Sequence, residues 1–451
     1  MTSSTENKTV NKNNSESYEN TEIGVMPVSW QVEAIGNLFD VKQGKQLSSK
    51  ETKENKKLYP FLRTSNIMWG YLNLSTIDGM YFSDEEIEKL KLKDGDILVC
   101  EGGDIGRTAM FEGQIQNCAY QNHLHRLRPK EDNINRKFFV FWMNYAIKSR
   151  GFYVYTANRT TIPNLSSSRL KNFKIPLPPL PEQKKIAAVL SAVQEAKEKT
   201  EAVIEATKTL KKSMMKHLFT YGPVDIKETE NIELEKTEIG YISKDWKIDK
   251  LKNLVNFKNG INFTKEQKGK TGVPTIDVFN MYNQSIYPNL NNLYRVNKKI
   301  NSEYYLENND LLFVRSSLKR EGVGWTSLYK QSKEPISYCG FIIRARLKEG
   351  IKNIFPEYLT YFLRTEKARE NLISVSGKLA ITNINQGMLG EVLVPVPKIS
   401  VQKKVAKILL ELDSKIYSEE NKKQALEKLF QSLLKNLMTG KQRVNNIDIP
   451  L

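Results

Sequence analysis

The sequence predicts an α+β fold in which two homologous α/β domains are separated by two long antiparallel coiled-coil helices. Two runs that lack Gly and Pro, each introduced by a proline-rich segment, predict the helices. The second proline segment, residues 393–397, repeats residues 174–178 at a distance of 219 positions. Glu22-Ile23-Gly24 with Trp30 recurs as Glu238-Ile239-Gly240 with Trp246, 216 positions later. A period of this length indicates a duplicated two-part unit with a pseudo-two-fold internal repeat.

Residues 1–20 are rich in Ser, Thr, Asn and Glu, so we expect a disordered tail without a signal peptide. The first α/β domain is predicted over residues 21–175. Within it, residues 93–99 indicate a polar turn that leads into a buried strand, and residues 120–128 alternate as a further strand. The aromatic cluster at residues 138–143 is typical of the apolar face of a helix.

Residues 176–222 are predicted to be a proline connector followed by the first long helix. Four prolines between 176 and 181 favour extended backbone, and the helix-forming composition starts at Glu182. Apolar residues then recur in alternating steps of three and four, which predicts a heptad seam ending at Tyr221-Gly222-Pro223. The predicted core positions of this seam are Ile186, Val193, Val203, Leu210 and Met214.

The second copy is predicted as a linker and α/β domain over residues 223–394. A connector and second long helix follow over residues 395–440, and residues 441–451 form a C-terminal tail. The predicted core positions of the second helix are Val405, Leu409, Leu412, Ile416, Leu426, Phe430 and Leu433. An α-helix of ~38 residues is roughly 57 Å long, which exceeds one turn of duplex DNA at roughly 34–36 Å. An antiparallel pair of such helices would hold two modules at a set spacing.

Composition points to a basic, globular protein. The 451 residues carry a formal net charge of +18, and a chain of this size with that charge most often binds nucleic acid. No apolar run approaches the ~20 residues of a membrane span. Three cysteines are too few for a disulfide framework, so we expect a reducing cytoplasm.

Basic residues lie beside Ser, Thr and Asn in matching loops of the two domains, a combination suited to phosphate and base contacts. A single one of these residues is typical of any solvated surface, and only the clustering in paired loops favours a site. The candidate DNA-binding residues are Lys42, Lys45, Arg63, Ser65, Asn66, Arg107, Asn158, Arg159, Thr160, Lys258, Asn262, Asn280, Arg315, Ser316, Lys319, Arg320, Lys378 and Asn383.

Catalytic signatures are missing from the sequence. It contains neither an adenine-methylation motif of the form Asp/Asn-Pro-Pro-aromatic nor a phosphate-binding loop of Walker type. Cys118, His123 and His125 fall short of the four ligands of a structural zinc site, and their strand-like spacing explains the histidines. We therefore predict no catalytic residue, no metal site and no cofactor held by this chain.

The arrangement resembles the specificity subunit of type I restriction–modification enzymes over essentially the whole chain after residue 20. The residues that carry the resemblance are 173–187, similar to the family's central conserved region, the Glu-Ile-Gly…Trp openings, and residues 433–441, similar to the family's usual ending. The second connector departs from the pattern, with residues 398–401 replacing Pro179-Leu180-Pro181-Glu182.

The resemblance implies two target-recognition domains, each reading one half of a bipartite double-stranded DNA sequence. It also implies two methyltransferase subunits that bring S-adenosylmethionine, and restriction subunits that use ATP and Mg. This chain would then be the non-catalytic, cytoplasmic DNA-specificity subunit. Two alternatives remain open at this point: a basic coiled-coil nucleic-acid-binding scaffold outside restriction, and a divergent single-chain DNA-modifying enzyme.

Overall fold

The computed structural model describes residues 9–10, 17–46, 55–151, 164–375 and 382–444. The chain forms two compact units: unit 1 comprises Met1–Lys199 and Lys422–Leu451, and unit 2 comprises Thr200–Asn421. Each unit therefore contains one α/β domain and one part of each long helix.

Unit 1 begins with a small hairpin and continues as a mixed α/β domain. Its strands are β1 (Thr9–Val10), β2 (Ser17–Thr21), β3 (Gly24–Pro27), β4 (Gln31–Ala34), β5 (Phe39–Gln43), β6 (Lys57–Leu62), β7 (Asp78–Phe82), β8 (Ile97–Cys100), β9 (Thr108–Met110), β10 (Ala119–Tyr120), β11 (Leu124–Pro129) and β12 (Lys174–Leu177). Its helices are α1 (Ile35–Leu38), α2 (Asp84–Leu90), α3 (Arg136–Met143), α4 (Ser167–Asn172) and the first long helix, α5 (Leu180–Tyr221).

The central sheet of unit 1 is antiparallel in the order β5-β11-β8-β9, and a smaller sheet has the order β10-β6-β7. All four residues of β8 are buried, in agreement with the predicted buried strand. Helix α3 buries Phe138, Phe139, Phe141 and Trp142 in one core with the start of α5 and the end of the second long helix. Aromatic side chains bury large apolar areas, so these groups stabilise the core of unit 1.

Unit 2 repeats this plan. Its strands are β13 (Leu234–Thr237), β14 (Gly240–Ser243), β15 (Lys247–Lys250), β16 (Val255–Asn259), β17 (Lys268–Gly269), β18 (Val273–Ile276), β19 (Tyr294–Val296), β20 (Leu311–Val314), β21 (Ser316–Ser317), β22 (Thr326–Leu328), β23 (Ser337–Tyr338), β24 (Ile342–Leu347), β25 (Thr382–Asn383) and β26 (Leu393–Val396). Its helices are α6 (Leu251–Leu254), α7 (Val278–Met281), α8 (Pro356–Leu363), α9 (Glu366–Val375), α10 (Gln386–Gly390) and the second long helix, α11 (Ile399–Met438).

The central sheet of unit 2, β16-β24-β20-β22, is antiparallel like β5-β11-β8-β9 in unit 1. The same buried ion pair anchors both sheets. The Asp96 carboxylate accepts two hydrogen bonds of 2.7 Å from Arg128, and Asp310 accepts bonds of 2.7 and 2.8 Å from Arg346. Because bidentate pairs of this kind are geometrically specific, their recurrence confirms the α+β fold with two homologous domains.

A glutamine at the start of each long helix ties the helix to its domain. The Gln183 side chain donates to the carbonyls of Pro178 and Asn133 and accepts from the Asn135 amide. Gln402 makes the same three bonds in unit 2, to Pro397, Asn353 and Phe355. Both side chains are fully buried, so these polar groups depend on one another for their hydrogen bonds.

Within each unit, the parts of α5 and α11 run antiparallel. In unit 1, Lys197 pairs with Glu427 at 2.9 Å, and Glu182, at the start of α5, pairs with Arg443, just beyond the end of α11. In unit 2, Lys208 pairs with Glu420 at 3.6 Å and Lys211 pairs with Asp413. The partner numbers fall as the α5 numbers rise, as the predicted antiparallel coiled coil requires.

The predicted seam of α5 is wrong at two core positions, because Val203 and Leu210 are 39% and 50% exposed. Each is replaced in the seam by the next residue: Ile204 is 2% exposed, and Lys211 lies against α11. The apolar pattern concealed this register because Lys197 and Lys211 occupy two seam positions. Their ammonium groups lie 5.4 Å from the rings of Phe430 and Tyr361, so these lysines pack as long apolar stems with a charged end.

The other predicted core residues lie on the inner faces of the helices. Ile186, Val405, Leu409, Ile416 and Phe430 are buried, and Val193, Met214, Leu412, Leu426 and Leu433 are half-buried.

The predicted disordered tail is wrong at its last residues, because Ser17–Thr21 pairs with Gly24–Pro27 in an antiparallel hairpin. The Tyr18 hydroxyl donates to the Gly440 carbonyl at 2.9 Å, so the hairpin is held by the end of α11. A backbone paired on both sides of a tight turn has lost the freedom that its polar composition suggested.

The two connectors differ at one buried position. In unit 1, Glu182 is 4% exposed and accepts hydrogen bonds from Arg443 at 2.6 and 2.8 Å and from the Trp30 indole at 3.1 Å. In unit 2, the matching residue is Val401, and Gly222 packs there next to Val401 and Trp246. A buried ion pair in one unit therefore corresponds to an apolar contact in the other.

All three cysteines are buried free thiols. Burial raises the pKa of Cys100 to about 11 and the pKa of Cys118 and Cys339 to about 12. Because the thiolate is the reactive form, we expect native chain at about pH 8 to react with Ellman's reagent at least roughly a hundredfold more slowly than a free thiol. Unfolding in guanidinium should release three thiols. Rapid labelling of the native chain would contradict this prediction.

Candidate nucleic-acid interface

Several loops of unit 1 meet where β8 ends. The Glu101 amide donates to the His123 carbonyl at 2.9 Å, and the Leu165 amide donates to the Glu101 carbonyl at 2.7 Å. The Gln43 side chain donates to the Glu101 carboxylate at 2.9 Å. These bonds join the ends of β5 and β8, the start of β11 and the segment before α4 at one edge of the sheet. Strand-end loops held on a rigid sheet are suited to present side chains to a ligand.

The corresponding loops of unit 2 meet in the same way. The Arg315 amide donates to the Phe341 carbonyl at 2.8 Å, and the Ile384 amide donates to the Arg315 carbonyl at 2.9 Å. The Tyr282 hydroxyl donates to the Ser317 hydroxyl at 3.1 Å, which ties the segment after α7 to the loop after β20. Strands β21 and β25 add backbone pairing between residues 316–317 and 382–383.

Two arginines hold the unit 2 loops by hydrogen bonds to backbone carbonyls. Arg364 donates to the carbonyls of Asn283, Gln284 and Ser285, and Arg369 donates to the Glu321 carbonyl. Burial lowers the pKa of both guanidinium groups to about 10, which leaves them charged at neutral pH. Both lie over the Trp325 ring, at 4.6 and 5.6 Å. The loops around residues 283–285 and 320–322 are therefore positioned by fixed charges.

In unit 1, three predicted residues are exposed at the surface. The Lys42 side chain is 54% exposed and lies 3.8 Å from Asp40. Arg63 is half-exposed and forms a 2.7 Å ion pair with Asp78, and Ser65 is exposed. These groups remain accessible to a ligand.

Two other predicted residues of unit 1, Asn66 and Lys45, use their side chains inside the domain. Asn66 is 5% exposed, accepts from the Arg63 amide and donates to the carbonyls of Asn73 and Thr76. Lys45 donates to Glu86 at 2.8 Å. In this structure the polar atoms of these side chains hold loops within the domain.

Arg107 is also largely enclosed. Its guanidinium donates to the Thr64 carbonyl at 3.1 Å, and its side chain is 17% exposed. In this structure it therefore supports the loop at residues 64–66.

In unit 2, Lys319 and Arg320 are exposed on the loop after β20. Within the residues that the structure describes, neither side chain has a hydrogen bond or ion pair. Arg315 is half-buried and donates to the Gly340 carbonyl at 3.3 Å. Ser316 and Asn383 face each other as a backbone pair of β21 and β25.

The remaining unit 2 predictions lie around this loop. Lys258 is paired with Glu303 at 2.5 Å, and the Asn280 side chain accepts from the Asp277 amide at 2.9 Å to cap α7. Asn262 is exposed. Four predicted residues, Asn158, Arg159, Thr160 and Lys378, lie outside the described residues.

Residue-type reasoning missed three exposed apolar side chains in unit 2. Phe279, Leu318 and Phe341 are 90%, 89% and 61% exposed. None of the three is among the predicted binding residues, which are all basic or carry a hydroxyl or amide group. A signal was available at Leu318, which lies between Ser317 and Lys319-Arg320 in a polar loop where a buried residue is not expected.

His125 and Cys118, considered above as possible metal ligands, have hydrogen-bond partners nearby in the chain fold. The His125 ring nitrogen Nε2 lies 2.8 Å from the Leu165 carbonyl, and burial lowers the pKa of this imidazole. The Cys118 thiol donates to the Ala119 carbonyl. Over the described ranges, no group of three or more His, Cys, Asp or Glu side chains has an arrangement that could hold a metal ion. No helix in those ranges is both long and apolar enough to cross a membrane.

Comparison with known families gives a match in both halves of the chain. The sequence profile described as "Type I restriction modification DNA specificity domain" matches residues 27–206 and 243–428. These two matches coincide with the two α/β domains and most of the two long helices.

Individual proteins are similar over almost the whole length. The type I restriction enzyme MjaVIII specificity subunit of Methanocaldococcus jannaschii is 26% identical over 436 residues, which cover 94% of this chain and 95% of that protein. The type I restriction-modification system S subunit from M. genitalium has a similar fold, with a TM-score of 0.57, 20% identity and coverage of 90% of this chain and 96% of that chain. A chain from a structural study of complex assembly and conformational transition of the type I R-M system has a TM-score of 0.54 at 14% identity, covering 92% and 99%.

Proposed function

Because the chain belongs to the type I restriction–modification DNA specificity family, we propose that it is the DNA-specificity subunit of a type I restriction–modification complex. In this proposal, the α/β domain of each unit is a target-recognition domain that reads one half of a bipartite double-stranded DNA sequence. The observation that carries the proposal is the repetition of one sheet, with strand-end loops joined at the same edge, in both units.

The electrostatics support a nucleic-acid ligand. The net charge of +18 favours a polyanion, and many cations of unit 1 are already balanced by carboxylates within the domain. Lys319 and Arg320 instead project from the loop after β20 without a carboxylate partner among the described residues. Unpaired cations beside hydroxyl and amide side chains are suited to phosphate contacts that position bases for readout.

The long helices support a second role in assembly. Val203 and Leu210 are separated by two helical turns and are exposed on α5, so they form an apolar stripe beside the buried seam. We assign this stripe to the docking of a methyltransferase subunit, because exposed apolar side chains on a long helix are suited to bury against a partner. The helices also connect the two recognition domains along the chain, and the proposal assigns to them the spacing of the two half-sites.

In this proposal the chain is non-catalytic and cytoplasmic. S-adenosylmethionine, ATP and Mg are held by partner subunits, namely two methyltransferase subunits and the restriction subunits. The test is to co-express the chain with the methyltransferase subunits of its source genome and to map methylated adenines. A bipartite motif is expected, and methyl transfer by the purified chain alone would overturn the non-catalytic role.

The charged loop of unit 2 gives a quantitative test of DNA binding. Replacing both Lys319 and Arg320 with Ala should reduce the slope of log affinity against log salt by about 2, since each cation neutralises about one phosphate. At about 0.15 M salt the affinity should fall roughly thirtyfold. Fluorescence anisotropy with duplex DNA over a salt series measures both quantities.

The matched control is the pair of substitutions Lys348→Ala and Lys352→Ala. These residues follow the opposite end of β24 from Phe341, in the same unit, and their removal changes the net charge by the same amount. An equal loss of slope in the control would show a non-specific charge effect and would remove Lys319 and Arg320 from the interface.

A further inference from the structure

Three exposed apolar side chains of unit 2, Phe279, Leu318 and Phe341, are here named the apolar tip. Their exposed fractions are 90%, 89% and 61%. Phe279 lies in the short helix α7, Leu318 follows β21 and Phe341 precedes β24, and hydrogen bonds join these three segments. Tyr282 links the α7 segment to Ser317, next to Leu318. The Phe341 carbonyl accepts from the Arg315 amide, three residues before Leu318.

The apolar tip is not required by the fold, because unit 1 has the same central sheet and strand ends without it. Asn66 and Asn280 each accept a hydrogen bond from the backbone three residues earlier, and the residues just before them are Ser65 and Phe279. His123 and Phe341 each offer their carbonyl to the residue just after the central strand. Leu318 lies on the segment between β20 and β22, residues 315–325, which is longer than the corresponding loop of unit 1, residues 101–107. Unit 1 thus presents Ser65 and His123 where unit 2 presents Phe279 and Phe341, and the longer segment of unit 2 adds Leu318.

The surroundings of the apolar tip favour DNA as the occupant. Lys319 and Arg320 follow Leu318 directly and are exposed. Cations around base-contacting side chains are the rule on DNA, where they bind the phosphates. Apolar side chains distinguish bases in the major groove by contact with the C5-methyl group of thymine. Some DNA-binding proteins insert an apolar side chain between two base pairs. Three apolar groups on separate segments instead favour contact with the surface of a groove.

We propose that unit 2 reads its half-site through contact between the apolar tip and thymine methyl groups in the major groove, whereas unit 1 reads its half-site with polar side chains. This inference rests on the proposed DNA-specificity function and adds the chemical group that unit 2 recognises. It makes the two halves of the recognised sequence chemically distinct: thymine methyl groups contribute to affinity in one half only.

The experiment uses the full chain in complex with its methyltransferase subunits and a duplex that carries the mapped target. The Lys319→Cys variant assigns a half-site to unit 2, because the native thiols are buried and the new thiol can carry a photo-crosslinker. Deoxyuridine then replaces thymine, in one half-site at a time, which removes only the methyl groups. We expect roughly fourfold weaker binding for each contacted methyl in the unit 2 half-site, from the loss of one buried apolar carbon, and no change in the other half.

The matched protein control is a triple variant in which polar side chains replace the apolar tip. Its substitutions are Phe279→Ser, Leu318→Ser and Phe341→His. All three positions are exposed, so its melting temperature should equal that of the parent. It should bind thymine and deoxyuridine duplexes equally and keep the salt slope of the parent, because its cations are unchanged. Insensitivity of the parent complex to deoxyuridine would overturn the inference, as would a unit 2 half-site without thymine on either strand.

Two further outcomes would also overturn it. Increased 2-aminopurine fluorescence at the half-site would indicate that the apolar tip wedges between bases. Concentration-dependent self-association that the triple variant abolishes would indicate a contact between copies of the chain. Failure of the proposed function itself has a different signature, namely DNA binding without sequence preference in every duplex.

Discussion

Replacing Glu182 with Ala is expected to lower the free energy of unfolding of unit 1 by about 3–5 kcal/mol, the usual cost of removing one partner from a buried ion pair. Glu182 is 4% exposed, and its carboxylate accepts hydrogen bonds from Arg443 and Trp30. The substitution leaves the guanidinium of Arg443 without its carboxylate in a site where its side chain is only 10% exposed. Hydrogen exchange of unit 1 amides in increasing urea measures the loss, because a chain with two units need not unfold in one step.

Unit 2 provides the design of the control. Its matching position is Val401, packed near Trp246 without an ion pair, so the double variant Glu182→Val with Arg443→Met should recover most of the stability. Replacement of a buried ion pair by apolar groups is often neutral or stabilising. The Glu233→Ala variant removes an exposed pair with Lys244 and should leave the free energy of unfolding almost unchanged, because solvent screens such pairs. A loss in Glu182→Ala as small as this would contradict the prediction.

Replacing both Val203 and Leu210 with Glu is expected to abolish assembly with the methyltransferase subunits while leaving the fold intact. Both side chains are exposed on α5 in the structure of the chain alone, so two carboxylates there cost little in stability. In an interface, each buried carboxylate would lack a partner, and a loss of at least about 2 kcal/mol in binding is expected for a central position. Co-purification with the tagged chain and adenine methylation in cells are the two measurements.

The control places the same charges one residue earlier on the same helix, as Ala202→Glu with Thr209→Glu. Both positions are exposed and lie about 100° around the helix from the apolar stripe. This variant should assemble and support methylation. Equal assembly by both double variants would exclude the stripe as the docking surface, and equal loss in both would indicate a general effect of charge on the helix.

The repeat made most of the fold predictable. A duplicated chain has to satisfy the same backbone twice, so residues such as Gln183 and Gln402 reveal matching positions even where the surrounding sequence has diverged. The seam of α5 was less predictable because Lys197 and Lys211 occupy inner positions. From its residue type, a lysine is expected to face solvent. Its aliphatic stem can nevertheless pack in a seam while its ammonium group contacts an aromatic ring or a carboxylate.

The candidate interface was predictable in place and only partly in its residues. Strand-end loops follow from the alternation of apolar and polar residues, and Lys319 and Arg320 are exposed there as expected. Asn66 and Lys45 were predicted to bind DNA from their residue types alone. In the structure, their side chains form hydrogen bonds with neighbouring groups of the same domain. Phe279 and Leu318 were not among the predicted binding residues, and only the packing of unit 2 shows that they are exposed.

By itself, the sequence determined the duplication, the α+β order, the two long helices and the basic character of the chain, because periodicity and composition are local properties. The tertiary structure decided which side of each helix is buried, which cations are paired and which apolar groups are left outside. These outcomes depend on partners far apart in the chain, as Glu182 and Arg443 are. A local sequence pattern does not specify which distant residue will be in contact. Free cations and uncovered apolar groups, the features with which such a surface can bind DNA, emerge only after all internal pairs have formed.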